Sequence, residues 1–220
     1  IGERAFGNNP TRVGQIIASV AAGFQAGGVL PCLKHFPGQG ATDVDSHVSL
    51  PSLTVSAAKL WEREMVPFRK VMDTHPRPLT VMAAHILTPA LDRTGLPASL
   101  NPTVLTGILR RRMGFDGVVI TDDLEMDPIV KRWGVGPAAV RAISGGADMV
   151  LICHTFAAQT AARNALLRAA RSGALPAARI DEALRRIQAV KAWAASRPAI
   201  PLSVLGSKEH QAVVRSIRQG

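Results

Sequence analysis

Gly117-Val118-Val119-Ile120-Thr121 runs directly into Asp122-Asp123-Leu124-Glu125-Met126. The apolar part is unbroken and lacks the period-two alternation of a half-solvated strand, so it reads as a strand buried in a parallel sheet. Leu79 to Ala84 and Ala147 to Ile152 read the same way, and Val29 to Leu33 is a fourth run, broken by Pro31. Between them lie amphipathic stretches. Asn9-Pro10 caps a helix to about Ala26, with Val13, Ile16, Ile17, Val20 and Phe24 on one face and Gly27 as the stop. Ser56 opens a helix to about Asp73 that Pro67 should kink. Asn101 caps a helix to Arg112, and Pro137 to Ser144, Ala157 to Ser172 and Arg179 to Ala195 are helical. In the last of these Ile180, Leu184, Ile187, Val190 and Trp193 fall in register. Buried strands alternating with helices predict an α/β chain whose parallel sheet is covered on both faces. That leaves a doubly wound sheet or a (β/α) barrel.

The polar chemistry follows strand C-terminal ends: Lys34-His35 after one, His85 at another, Asp122-Asp123 after a third. In a barrel these ends ring one pocket. No Gly-rich phosphate motif follows a strand, so a nucleotide site has little support.

Two constellations carry candidate chemistry. In Lys34-His35-Phe36-Pro37-Gly38-Gln39-Gly40-Ala41-Thr42-Asp43-Val44-Asp45-Ser46-His47 a cation and an imidazole precede a loop with two aspartates and a second histidine. Asp45 and His47 share one side of an extended loop. The carboxylate can then fix the imidazole tautomer and leave the other nitrogen as acid or base. A metal reading would use His35, Asp43, Asp45 and His47, but it lacks a familiar ligand spacing and no metal is expected. A loop held by Asx-type hydrogen bonds is the bland alternative. In the second constellation a buried strand delivers Asp122 and Asp123 to the pocket rim. One should be a pocket carboxylate, able to act as a nucleophile, and the other a structural neighbour.

The chain has 220 residues, 47% of them hydrophobic and 19% charged, which excludes wholesale disorder. It has no apolar stretch long enough for a membrane-spanning helix. Cys32 and Cys153 make no disulfide framework and are expected as buried thiols. The net charge of +10 is uneven: residues 1–100 carry +2 and residues 157–220 carry +8. With 20 arginines, 6 lysines and no tyrosine, the excess reads as solvated C-terminal helices rather than as a nucleic-acid face.

The two constellations, with Ile1-Gly2-Glu3-Arg4-Ala5-Phe6-Gly7, resemble the bacterial β-N-acetylglucosaminidases of glycoside hydrolase family three. Met82-Ala83-Ala84-His85-Ile86 and Leu96-Pro97-Ala98-Ser99-Leu100 are also similar to family segments, so the resemblance spans roughly residues 1–197. It implies a (β/α) TIM-type barrel and a retaining exo-enzyme that releases N-acetylglucosamine from peptidoglycan-derived muropeptides. Asp122 matches the nucleophile of a covalent glycosyl intermediate, and His47 the acid/base, oriented by Asp45. Arg4, Lys34 and His35 match residues that hold the sugar. Such an enzyme is implied to be cytoplasmic and monomeric, with a carbohydrate substrate, no cofactor, and no nucleic-acid or membrane partner. An imidazole acid repels an incoming anion less than a carboxylate does, so transfer to phosphate stays open beside hydrolysis. β-Glucosidase and β-xylosidase relatives recruit a glutamate from a second domain, and the Asp45-Ser46-His47 loop argues against them. Gln39 and Ala41 depart from the family pattern, which usually has histidine and an acidic residue there.

A chain that starts at Ile1, with four or five clear strands, is short for a barrel of typically about 250 residues. The expectation is therefore an incomplete barrel lacking its first β/α units. Residues 1–200 would be the C-terminal part of one catalytic domain and 201–220 a tail.

Overall fold

The structure, a computed structural model, describes residues 5–42, 50–74, 79–197 and 200–219. Four strands, β1 (Cys32–Phe36), β2 (Thr80–Ala83), β3 (Val118–Asp123) and β4 (Met149–Leu151), form one parallel sheet in the order β1-β2-β3-β4. Strand order equal to chain order, with helical segments in every crossover, is that of consecutive units of a TIM-like (β/α) barrel. A doubly wound sheet would reverse direction at a switch point.

Helix α1 (Pro10–Ala26) precedes β1. The β1–β2 crossover holds α2 (Ala57–Lys59), a π-helical turn (Leu60–Glu64) and α3 (Val66–Thr74). A π-helix (Thr103–Arg112) joins β2 to β3, and α4 (Asp127–Trp133) and α5 (Val135–Gly145) join β3 to β4. Then come α6 (Phe156–Arg171), α7 (Ala177–Ala195) and α8 (Lys208–Gln219).

Only one sheet face is covered by these helices. Leu33, Val81, Ala83, Val119 and Thr121 are buried, in a core that includes Leu60, Met65, Phe68, Val71, Leu105, Leu109, Ile129 and Ala142. On the other face Lys34, Met82, Ile120 and Met149 stand at one level across all four strands. There Lys34 is exposed and Met149 is 41% exposed. The expected cover on both faces is thus corrected to one. In a barrel the inner face packs against strands across the axis, so these strands are apolar on both sides although their helices lie on one. The open face is one source of a large accessible surface, 12276 Å², against roughly 9,700 Å² for a compact protein of this mass.

Local signals placed the elements, and packing chose their faces. Asn9 accepts the Arg12 amide at 3.0 Å, and Asn101 accepts the amides of Thr103 at 2.8 Å and Val104 at 3.4 Å. Pro67 does not kink one continuous helix. It sits in the first turn of α3, where its missing N–H costs nothing. Helix α1 buries Gly14, Ala18 and Ala21 rather than its bulkiest stripe, and leaves Val20 and Phe24 40% and 49% exposed. Small residues allow α3 to approach: a Cβ at Gly14 would lie 3.1 Å from the Lys70 Cβ. In α7 the buried residues are Ala183 and Arg186, while Leu184 is exposed. Helix α4 was not anticipated, and much of the expected tail forms α8, whose described side chains are all exposed. Cys32 and Cys153 are exposed, not buried, because one lies on the open sheet face and the other in the loop after β4.

The basic excess is not wholly solvated either. Arg179 and Arg186 from α7 and Arg110 from the π-helix converge on Asp148, whose side chain is fully buried just before β4. Asp148 Oδ1 accepts Arg179 Nη2 at 2.8 Å and Arg186 Nη1 at 3.2 Å; Oδ2 accepts Arg110 Nη2, and the Val119 amide at 3.0 Å. Burial pushes the Arg110 guanidinium down to about 10 against the pull of Asp148, so it is charged at neutral pH. Asp116 accepts from Arg185 Nη2 and Arg186 Nε at 2.8 and 2.9 Å. These bonds tie α7 to the N-terminal ends of β3 and β4, the end of a barrel that serves stability.

Candidate active site

Strand β1 delivers Lys34 and His35 to the opposite end of the sheet. Phe36 anchors that end in the core, with its ring edge-on to Phe68 at 5.3 Å. The Lys34–His35 and Phe36–Pro37 peptides are cis. The chain then turns at Gly38, where the His35 carbonyl accepts the Gly38 amide at 2.8 Å. Gly38 has φ +127°, and a Cβ there would fall 2.7 Å from the Glu64 Cβ, so the turn rests directly on the π-helical turn behind it.

Strand β3 places Asp122 two residues beyond Ile120, on the open face that also carries Lys34. Its carboxylate is partly exposed, and Oδ2 lies 3.7 Å from His35 Nε2. That is too long for a hydrogen bond but close enough for charge attraction if the imidazole is protonated. Asp122 Oδ1 accepts the Asp123 amide at 2.9 Å.

Asp123 has a different environment. Oδ1 accepts the amides of Glu125 at 3.0 Å and Cys153 at 3.3 Å, and Oδ2 lies 2.9 Å from His154 Nε2. The Leu151 carbonyl accepts the Leu124 amide at 2.9 Å. Glu125 continues the clamp by accepting the Thr155 amide at 3.0 Å, the Thr155 hydroxyl at 2.7 Å and the His154 amide. Desolvation opposes ionisation of Glu125, but the donors from His154 and Thr155 outweigh it and hold its pKa below the usual range. The loop after β3 is thereby fastened to the N-terminus of α6. Asp123 and Glu125 are occupied with holding backbone, whereas Asp122 faces the opening.

His85 follows β2 and is almost fully buried. Nε2 lies 2.9 Å from the Asp123 carbonyl oxygen and Nδ1 lies 2.6 Å from Ser99 Oγ. A carbonyl only accepts, so Nε2 carries the proton and the Ser99 hydroxyl donates to Nδ1. Burial holds the His85 pKa below its ordinary value despite the nearby Asp122 and Asp123 carboxylates, which favours the neutral ring.

Of the site residues expected from sequence, the fold brings Lys34, His35 and Asp122 to one mouth at the strand C-terminal ends. Arg4, Asp45 and His47, with Asp43 of the metal reading, lie outside the described residues. Sequence reading did not single out the buried Glu64, or Ser99, Glu125 and His154 with their links to Asp123 and α6. Their partners are up to 31 residues away, and the quoted Leu96–Leu100 and Asp122–Met126 stretches contain Ser99 and Glu125 without marking either.

A strand-end carboxylate beside a Lys-His pair lies at the end of the (β/α) units where barrels of this class carry their sites. The chain belongs to glycoside hydrolase family 3: residues 1–190 match the model described as Glycosyl hydrolase family 3 N terminal domain. It is 37% identical over 154 residues to a protein of Chromobacterium violaceum named beta-hexosaminidase, covering 70% of this chain and 42% of that one. It is 35% identical over 162 residues to beta-hexosaminidase A of Pseudoalteromonas piscicida, covering 69% and 27%. The solved family 3 β-N-acetylglucosaminidase of Paenibacillus sp. superposes with a TM-score of 0.92 at 39% identity, over 97% of this chain and 41% of that one. The chain thus spans less than half the length of these relatives. Among the described residues no helix is long and apolar enough to cross a membrane.

Proposed function

We propose that the protein is a retaining exo-β-N-acetylglucosaminidase acting on peptidoglycan-derived muropeptides in the cytoplasm as a monomer, with the described residues forming part of its active site. The observation that carries the reading is the division of the aspartate pair. Asp123 is consumed by backbone donors, while Asp122 is presented on the open face beside His35. Asp122 attacks the anomeric carbon and forms a glycosyl ester. His47, held by Asp45, protonates the leaving oxygen and then activates water for the second step. Lys34, His35 and Arg4 bind the sugar hydroxyls and acetamido group. The relatives named beta-hexosaminidase and β-N-acetylglucosaminidase support this substrate class.

The test is turnover of nitrophenyl N-acetylglucosaminide and nitrophenyl glucoside by the full-length protein, with and without phosphate. The expected result is preference for the N-acetylated substrate with release of free sugar, abolished in Asp122→Ala. Preference for the glucoside, or an Asp122→Ala variant that keeps substantial activity, would overturn it. Sugar phosphate as the product would replace hydrolysis by phosphorolysis and leave the nucleophile in place.

A further inference from the structure

His85 and Ser99 have no part in the chemistry above, yet they are built into its wall. Two backbone hydrogen bonds, from the Ala98 amide to the Ile86 carbonyl at 2.8 Å and from the Ser99 amide to the Ala84 carbonyl at 3.0 Å, lay residues 98–99 alongside residues 84–86. This sets the Ser99 hydroxyl against His85 Nδ1. The ring then spans from the end of β2 to the end of β3 and donates Nε2–H to the carbonyl of Asp123, the residue directly after Asp122. Both side chains are almost completely excluded from water, at 1% and 0% exposure. A leucine would fill the space as well, without the cost of burying polar atoms, if packing were the whole requirement.

We infer that Ser99 and His85 form a positioning relay for Asp122. This rests on the reading of Asp122 as nucleophile. The carbonyl of Asp123 terminates β3 and lies in the Asp123–Leu124 peptide plane, so the bond from His85 anchors the backbone of Asp123, whose own amide faces the Asp122 carboxylate. The Asp122 carboxylate in turn accepts the amide within its own residue pair, Asp123 N to Asp122 Oδ1 at 2.9 Å. Holding residue 123 by its carbonyl therefore restricts the direction of its amide, and through that amide the orientation of the Asp122 carboxylate. The loop after β4 holds the same segment from the opposite side, through the Cys153 amide on Asp123 Oδ1 and the Leu124 amide on the Leu151 carbonyl. His85 supplies the side-chain hold on this segment from the β2 side. The Asp123 carbonyl, which only accepts, fixes the tautomer, and the Ser99 hydroxyl satisfies Nδ1 and holds the ring in that orientation. If the ring proton moved to Nδ1, two acceptors, Nε2 and the Asp123 oxygen, would face each other. A neutral ring also performs the task without placing a cation beside the nucleophile.

The experiment uses the full-length enzyme and three variants, His85→Leu, His85→Gln and Ser99→Ala, with rates expressed per folded molecule. His85→Leu should lower kcat/KM for dinitrophenyl N-acetylglucosaminide by about 100-fold, the scale of loss from an ångström-sized misplacement of a reacting group. Binding of N-acetylglucosamine as a competitive inhibitor should change by less than about 3-fold, because the sugar contacts are untouched. His85→Gln, whose amide can donate to the same carbonyl, should recover most of the loss. Ser99→Ala should be intermediate. Wild-type kcat/KM in His85→Leu, or in both His85→Gln and Ser99→Ala if His85→Leu does not fold, overturns the relay. Equal losses in kcat/KM and inhibitor affinity also overturn it, because they indicate a collapsed site. Asp122→Ala is run alongside: activity there refutes the nucleophile reading, whereas an inactive Asp122→Ala with wild-type His85 variants refutes the relay alone.

Discussion

Replacing Asp148 by asparagine keeps the shape of the side chain and removes one charge. The carboxylate accepts from four donors: Arg179 Nη2 and Arg186 Nη1 on Oδ1, Arg110 Nη2 and the Val119 amide on Oδ2. Its side chain has no exposed surface, and those of Arg110, Arg179 and Arg186 are 9%, 13% and 8% exposed. The asparagine oxygen can serve one pair of donors, but its NH₂ group then faces the other pair. Three guanidiniums would share the site without its buried anion, with only the more exposed Asp116 and Glu182 carboxylates left to offset their repulsion. Removing one partner of a buried ion pair costs about 3–5 kcal/mol. For a domain of this size each kcal/mol shifts the midpoint by roughly 2–4 °C, so Tm should fall by about 6–20 °C. The assay is thermal unfolding by circular dichroism, with Asp127→Asn as control. The Asp127–Lys131 pair is exposed, at 61% and 73%, and a pair of that kind contributes at most about 1 kcal/mol. A Tm loss for Asp148→Asn no larger than that control would refute the cluster as a determinant of stability. A drop in turnover per folded molecule would refute the separation of this cluster from the active site, since Asp148 lies at the strand end opposite Asp122.

Gly38→Ala should cost about 2–5 kcal/mol, from a backbone in the left-handed region and a Cβ overlapping Glu64, and chemical denaturation reads it directly. Hydrogen bonds from Arg185 hold the Asp116 carboxyl well below the usual carboxylate range, so between its native and unfolded pKa values the native state binds fewer protons. Its contribution is present above about pH 4 and is lost as the pH falls further, so Asp116→Asn should flatten the acid limb of a stability–pH profile. An unchanged limb would remove the pair from the account. His47→Ala should spare dinitrophenyl leaving groups, which need little protonation, in the glycosylation step and slow poor ones; equal losses on both, in presteady-state kinetics, would exclude His47 as the acid.

The sequence alone was enough to show the alternation of strands and helices, because each strand is a run of apolar residues and each capping residue acts within a few positions of itself. Asn9, Ser56 and Asn101 cap as their types predict. The position of Asp122 at the end of a buried strand was equally legible, since a strand that is apolar until it meets two carboxylates has only one end at which to present them. The family followed from short motifs whose residue types are specific in combination.

Tertiary structure decided what depends on partners far along the chain. Which stripe of α1 is buried was set by the approach of α3, and no periodicity within α1 distinguishes Gly14 and Ala18 from Val20 and Phe24. The arginines of α7 looked like a solvated face until Asp148, some 30 residues earlier, was brought beneath them. Adjacent aspartates of the same type diverged only because the loop after β4 supplied donors to one and left the other facing the opening. A side chain's neighbours in space set its burial, protonation and reach, and those neighbours are fixed only when the sheet assembles.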